Sequence, residues 1–345
     1  MPSGMTDRRK AANPDASSGA TVSVTVVVVS FNTRELVRRC VSSVLGQGTT
    51  PLEVIVVDNA SADGTVEMLR ADFPQVRVVA NKDNRGFAAA NNQALAVAKG
   101  DFALILNPDA EVKPGAIDAA TSFAVANRDA GVVGCRVLRS DGAVDETLFR
   151  TMRLRDVAFD AVVPIGVARR WRALGYQRYA GIDMGKVHDV ETVTGCFMLV
   201  QRAAWEKAGV MDEDFFIYGE EAEWCHRIRR AGWKVRYFPG AEIVHHGAAS
   251  TIQLRDQMAM SLTRSLLLLV QKTQGRTAAY FANVFMLLRE TPRAAVHLVL
   301  SALHVPVRAG TAVSLGQSAM KMPMHLRGLF RTDWRTEARK PPTTR

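Results

Sequence analysis

The chain has 345 residues, of which 48% are hydrophobic and 23% charged, a globular composition that excludes a disordered or collagen-like class. Cys40, Cys135, Cys196 and Cys225 stand far apart with no CxxC or metal-ligand spacing, which excludes a disulfide framework and favours reduced thiols in a cytoplasmic setting. The net charge of +10 is lopsided: residues 255–345 carry 14 Lys and Arg against 4 Asp and Glu, and the remainder is balanced, so a basic C-terminal region is the candidate for contact with nucleic acid or an anionic membrane surface.

Residues 1–22 are polar and lack the apolar core of a signal peptide; they read as a disordered tail. No run of 18 apolar residues occurs, so no ordinary transmembrane helix is expected. Residues 24–30 (VTVVVVS) form a β-branched run that suits a buried strand. An amphipathic helix follows, with Leu36, Val37, Cys40, Val41, Val44 and Leu45 on one stripe. A second strand over 52–57 ends in Asp58-Asn59-Ala60-Ser61-Ala62-Asp63-Gly64-Thr65, and a short helix carries Val66, Met68 and Leu69. A third strand covers 76–80, a loop 81–86, and an Ala/Asn-rich helix 87–98, closed by Gly100. The fourth strand, 102–106, is five apolar residues in a row, as expected of a strand buried on both faces. Pro108 ends it, and Asp109 falls just past its carboxyl end.

Four strands alternating with helices over short connections are the pattern of right-handed crossovers and a parallel sheet. Ligands of such sheets bind outside the carboxyl ends of the strands, where Asn32, Asp58, Asn59, Asn107 and Asp109 collect. An acid-bearing crevice repels bare phosphate, so a bridging divalent cation or a set of sugar and base hydroxyls is implied. GxGxxG and GxxxxGK[ST] are both absent from the strand–helix junctions, which argues against a dinucleotide dehydrogenase and a P-loop ATPase.

Beyond this half, residues 131–138 read as a strand and 140–190 show no clear period. Residues 191–200 read as one strand with Gly195 at its centre, where a glycine lets another group approach. A helix over 202–208 precedes a second that begins Glu220-Glu221-Ala222-Glu223. A carboxylate there is expected to stay ionised, because the helix dipole favours the charged form. Glu223 and Arg227 are spaced to pair along that helix. Short strands at 234–238 and around Ile243 lead to His245 and His246. From 253 onward the period is helical, with stripes at Leu262–Val270 and Phe281–Leu288, and a third after Pro292 through Val296, Val299, Leu300 and Leu303. Flanking arginines suit either a basic amphipathic surface on an anionic membrane or a helical subdomain packed on the core or on a second copy.

Four linked stretches carry a resemblance. Val28-Val29-Ser30-Phe31-Asn32, Val56-Val57-Asp58-Asn59-Ala60-Ser61-Ala62-Asp63-Gly64-Thr65, Asn84-Arg85-Gly86-Phe87-Ala88-Ala89-Ala90-Asn91 and Leu106-Asn107-Pro108-Asp109 resemble, in order and spacing, the N-terminal half of a family-2 glycosyltransferase of the rhamnosyltransferase-like branch. The resemblance implies a GT-A fold, that is, an α/β domain with a Rossmann-like, mostly parallel sheet, over 23–252, with a nucleotide-sugar half (23–130) and an acceptor half (131–252). The basic helical region, 253–345, would be an addition. It implies a dTDP- or UDP-sugar donor, inversion at the anomeric carbon, Mg2+ or Mn2+, and a glycan or lipid-linked acceptor, with no nucleic acid among the partners.

Carried over by position, Ser30 and Asn32 line the nucleobase side, and Asp58 takes the base or ribose with Asn59 and Asp63 beside it. Asn84, Arg85 and Asn91 lie near the ribose and diphosphate. Asp109 takes the last position of the metal-binding acidic motif, whose first acid is Asn107 here. Gly195 resembles the segment beneath the donor sugar. Glu220-Glu221-Ala222-Glu223-Trp224-Cys225-His226-Arg227 resembles the family's Glu-Asp-x-Asp-Leu-x-x-Arg element with glutamate for aspartate twice, which puts Glu221 at the catalytic base and Glu220 beside it. A family histidine that completes the metal site matches His245 by its spacing to Ser250, with His246 as the alternate. Read on the residues alone, Asn59 and Asp63 also suit a turn before Thr65, and Arg85 a solvated loop. The expected activity is transfer of a sugar, rhamnose first, to a cell-envelope acceptor. The rivals are a sugar nucleotidyltransferase, which wants a Gly-rich basic loop where Ser30-Phe31-Asn32-Thr33 stands, and a non-catalytic binding protein with a degenerate site.

Overall fold

The computed structural model describes residues 22–145, 147–163, 179, 182–247, 255–304, 309–331 and 333–341; residues 1–21 of the expected tail, and Ser250, lie outside them. The sheet grows from β1 (Val24–Ser30), whose seven residues are all buried. After α1 (Arg34–Leu45), β2 (Leu52–Asp58) pairs with it in parallel, Ser30 opposite Asp58. After α2 (Thr65–Asp72), β3 (Arg77–Ala80) extends the edge beyond β2. After α3 (Phe87–Leu95), β4 (Phe102–Leu106) closes on the other side of β1, again in parallel. Strand alternation explains the two faces. Val26 and Val28 pack with Val37, Cys40 and Val41 of α1, whereas Val27 and Val29 pack with Ala88, Ala90 and Ala94 of α3.

The second half continues with β5 (Ala110–Val112), α4 (Ala116–Ala126), β6 (Ala130–Arg139), β7 (Leu148–Phe149), α5 (Leu154–Val162), β8 (His188–Val190), β9 (Thr192–Val193) and β10 (Phe197–Gln201). It ends with α6 (Arg202–Ala208), α7 (Glu220–Arg230) and β11 (Lys234–His245). Among the described residues the main sheet has nine strands, ordered β3-β2-β1-β4-β10-β6-β11-β5 with β8 also on β11. β10 inserts antiparallel between β4 and β6.

Three local expectations are corrected. Residues 191–200 are not one strand: β9 pairs with β7 in a separate small sheet, β10 joins the main one, and Thr194-Gly195-Cys196 makes the step between them. The strands expected at 234–238 and 243 are a single β11, which crosses Pro239-Gly240 through a register shift between Phe238 and Glu242. The third helical stripe does not start after Pro292, because α9 (Arg276–Ala302) runs through it. Its buried residues, Ala282, Asn283, Met286, Glu290 and Ala294, stay in phase across the proline, so tertiary packing carries the turn that lacks a hydrogen bond.

The C-terminal helices α8 (Arg255–Gln274), α9, α10 (Ala309–Gly328) and α11 (Arg335–Ala338) pack on the catalytic half. Leu267, Leu268, Met286 and Trp334 form one core with Met152, Val157 and Phe215. Part of the basic surplus is paired internally: Glu337 faces Arg331 at 2.9 Å and Arg264 at 3.6 Å. Other parts of this region stay bare, with Leu298 65% and Leu303 67% exposed. No helix among the described residues is long and apolar enough to cross a membrane.

Candidate active site

The loops after β1, β2, β3 and β4 gather at one end of the sheet, and most of their polar side chains are already committed to shaping it. Ser30 is fully buried, with its hydroxyl 3.0 Å from that of Thr33. Asn32 sits in the left-handed region (φ 51°) and bridges to the β2 loop: its N–H donates to Ser61 Oγ at 2.8 Å, and its Oδ1 accepts from Ala62 N–H at 2.8 Å. Asn is one of the few residues that tolerate this conformation. Asp58 is buried and accepts from the Ser61 N–H at 2.8 Å and hydroxyl at 2.5 Å.

Asp63 takes the turn role: it accepts from Arg34 N–H at 2.9 Å and Thr65 N–H at 3.1 Å, the first N–H groups of α1 and α2. Burial pushes its carboxyl up, but the Thr65 and Arg34 hydrogen bonds outweigh that and hold it below the usual carboxylate range. Asn59 is buried between Gly86 O, to which it donates at 3.1 Å, and Asn81 Nδ2, which donates to it at 2.9 Å. Asn84 Oδ1 accepts from Gly86 N–H at 3.0 Å. Asn91 is fully buried, with its Oδ1 lacking a hydrogen-bond partner. Arg85 is exposed, as are Lys82 and Asp83 of the same loop, and has no ion pair among the described residues.

At the end of β4, Asn107 and Asp109 meet β11. Three rungs of antiparallel pairing set His245 opposite Ala110. The pairing brings His245 Nε2 to 3.1 Å from Asp109 Oδ1 and 3.5 Å from Asn107 Nδ2. Burial alone would push the imidazole down, but the Asp109 carboxylate outweighs it and holds His245 above the usual histidine range. His246 turns away to Glu111 at 2.8 Å and Ser140 at 3.0 Å. The position of Gly195 is set from below, because Asn107 N–H donates to Cys196 O at 3.4 Å. A Cβ on Gly195 would meet only the Phe87 ring, at 3.5 Å. That is an ordinary contact, so the protein's own packing does not demand glycine there.

The acidic start of α7 hangs from a strap, residues 211–219. Phe216 O accepts from Phe87 N–H at 2.8 Å, at the first residue of α3. Gly86, at φ 83°, lies so close that a Cβ would stand 2.5 Å from Phe216 O. The strap ends in Tyr218, a bulky residue at φ 70°, a conformation that costs of order 1–3 kcal/mol. Glu220 and Glu221 follow, each with an Oε2 that is buried and without a hydrogen bond. Burial pushes both carboxyls up, and the Glu221 charge pushes Glu220 further. Desolvation at this helix start thus opposes the helix dipole that was expected to favour the charged form. Burial, together with the charges of the same pair, raises the Tyr218 phenol to about 12. Glu223 pairs with Arg227 at 2.8 Å, and Arg227 also donates to Ala208 O at 2.6 Å and Val210 O at 2.7 Å, a structural clamp.

A family model, Glycosyl transferase family 2, matches residues 25–208, more than half the chain. The chain belongs to glycosyl transferase family 2. Within the family it is 29% identical over 238 residues to an N-acetylglucosaminyl-diphospho-decaprenol L-rhamnosyltransferase of Mycobacterium tuberculosis, covering 66% of this chain and 76% of that protein. It is 22% identical to a low-salt glycan biosynthesis hexosyltransferase of Haloferax volcanii, covering 65% and 67%. Among solved structures, a mannosyltransferase from Pyrobaculum calidifontis in complex with GDP-Man and Mn2+ matches with TM-score 0.54 at 18% identity, over 91% of this chain and 85% of that one. TarS of S. aureus in complex with UDP matches with TM-score 0.50 at 13% identity, over 89% of each chain. These likenesses carry the GT-A fold, and the chain is a glycosyltransferase.

In this glycosyltransferase no local pattern of residues marks the strap. Phe216, Tyr218 and the acids Asp212 and Asp214 lie in what reads as a loop, and only a positive φ at Tyr218 marks the joint. The raised acids also predict a stability effect. A carboxyl whose pKa is raised by folding stabilises the fold below its unfolded pKa, and the contribution is lost as pH rises through the folded value. Glu220→Gln removes that loss. The variant is expected to melt above the parent at about pH 8, with the gap closing toward about pH 4; equal melting temperatures across that range would refute the buried-acid picture.

Proposed function

We propose that this family-2 enzyme is an inverting, cation-dependent glycosyltransferase that moves rhamnose from a nucleoside diphosphate to a hydroxyl of a cell-envelope glycan or lipid-linked acceptor. The observation that carries the reading is the approach of Asp109 Oδ1 and His245 Nε2 to 3.1 Å at the carboxyl end of β4. A carboxylate oxygen beside an imidazole nitrogen suits a borderline ion such as Mn2+, whereas Mg2+ would use the carboxylate alone; no cluster of three His, Cys, Asp or Glu able to hold a metal occurs among the described residues. The donor set thus fits a cation whose shell is completed by diphosphate oxygens and water. Bound there, the cation would neutralise the charge that grows on the leaving diphosphate.

The chain's own residues do the rest. The loops carrying Ser30, Asn32, Asp58 and Asp63 hold the nucleoside, and the Asn84–Asn91 stretch approaches the ribose and diphosphate, with Arg85 free to reach a phosphate. Gly195 leaves room beneath the sugar. Glu221 takes the proton of the acceptor hydroxyl as it attacks the anomeric carbon from the face opposite the leaving group, which inverts the configuration. The mycobacterial relative, named as a rhamnosyltransferase acting on a decaprenol-linked acceptor, supports the sugar and the acceptor class. The catalytic domain would end near residue 252, with the helices as an addition.

A panel of nucleotide sugars with and without Mn2+ or Mg2+ tests the reading. The matching donor at about 100 times its dissociation constant should add about 2.7 kcal/mol of stability only when the cation is present, and transfer should release the nucleoside diphosphate. Release of pyrophosphate would point to a nucleotidyltransferase instead.

The bare apolar residues of α9 support a second element of the reading, a resting place on an anionic membrane at the cytoplasmic face. Val296, Leu298, Val299 and Leu303 are exposed, with Arg289 and Arg293 earlier on the same helix. The full chain is expected to sediment with anionic vesicles at low salt and to be partly released as salt shortens screening below about 8 Å. Protein left wholly in the supernatant at low salt would remove the membrane from the account.

A further inference from the structure

We propose that Lys272, on α8, is a positioning residue for the acid pair: by holding Asp212 and Asp214 it sets the strap that fixes Glu220 and Glu221 relative to the donor loop. The inference rests on the reading of Glu221 as the base. Lys272 Nζ is 2.7 Å from Asp212 Oδ2 and also bonds Asp214, which Arg339 grips from the other side. Asp214 is buried, with both cations on its carboxylate. The strap is tied to the C-terminal helices at two further points: Ser265 Oγ donates to Ile217 O at 2.9 Å, and Phe216 N–H donates to Ala338 O at 3.2 Å.

The opposite edge of the strap meets the nucleotide half. Asn92 Nδ2 donates to Met211 O at 2.8 Å and to Glu213 at 3.0 Å, and Phe216 O receives the Phe87 N–H. One nine-residue segment is therefore held by α8 and α11 behind and by α3 in front, and it delivers Tyr218 in a strained conformation directly to the acids. The cation is what the strap lacks by itself: Asp212, Glu213 and Asp214 are three consecutive acids, and without Lys272 their mutual repulsion would spread the segment. The C-terminal helices are in this way part of the catalytic apparatus, independent of any contact with a membrane.

The test compares Lys272→Met and Lys272→Arg in the full chain. Backbone hydrogen exchange, UDP and dTDP binding with Mn2+, and the kcat and KM of transfer are measured. Lys272→Met should speed exchange at least about tenfold in residues 211–221, with the central strands unchanged. It should lower kcat by about 10- to 100-fold, because a misplacement of the base near 1 Å has effects of that order. Nucleotide affinity should hold, and Lys272→Arg should restore both exchange and kcat. Normal kcat in Lys272→Met, measured well below its melting temperature, overturns the inference, as does exchange that quickens everywhere or not at all in the strap. Should Lys272→Met fail to fold, Lys272→Gln removes the same charge with a polar end in its place and is read the same way. If the parent transfers no sugar, the exchange arm still decides the positioning, and the failure belongs to the functional reading.

Discussion

Glu221→Gln is expected to lower turnover by roughly 10² to 10⁴, the usual contribution of a positioned general base. The amide keeps the size of the side chain and the start of α7 but cannot accept the hydroxyl proton. Nucleotide binding should hold, since the donor contacts lie on the loops of the other half. Because burial pushes the Glu221 carboxyl up, the acid limb of the parent's kcat profile should lie above the ordinary glutamate range, and the rate should fall as the pH drops through it. That limb should vanish in the glutamine variant. Glu221→Asp restores the residue usual in the family but shortens the reach by about 1.5 Å. On a helix start fixed by Gly219 and the strap, the acid cannot follow, and a loss near 10²-fold is expected. Glu220→Gln locates the base within the pair, since its turnover should fall far less. Normal turnover in Glu221→Gln would remove the assignment, and a dead Glu220→Gln with an active Glu221→Gln would move it back by one residue.

Asp109→Asn should abolish cation-dependent donor binding while leaving the fold intact. Asn107 supplies no charge, so Asp109 is the carboxylate of the motif. Asparagine can still hydrogen-bond His245, so the β5–β11 junction should survive, and the melting temperature without ligand should stay near that of the parent. Calorimetric titration of the donor with and without Mg2+ reads the difference. Donor binding as tight as the parent's in Mg2+ would show that the cation is held elsewhere.

The nucleotide half was legible because its signals are local. β1 is a β-branched run and β4 an unbroken apolar one, followed by Asn32 and Pro108, and their ends fall where the pattern put them. The helix over 202–208 and the start of α7 were equally plain. What the sequence hid depends on partners distant in the chain. β5 is three residues long and exists because β11 pairs with it. That register also sets which histidine faces which acid: it aims His245 at Asp109 and His246 at Glu111. The burial of Glu220 and Glu221 was hidden for the same reason. The helix dipole can be read along the sequence, but burial comes from the strap and from the helices behind it.

The junction of β5 and β11 has a consequence in time. Asn107 and His245 are 138 residues apart in the sequence. A chain made from its N-terminus completes β1 through β4, and with them the nucleoside loops, long before the imidazole that faces Asp109 has been synthesised. A nascent or truncated chain that stops short of β11 has the carboxylate without the histidine, and so only part of the ligand set a cation would need. On the proposed cation site, cation-dependent grip on a donor would be withheld from unfinished enzyme, and such binding would report a chain made at least as far as β11.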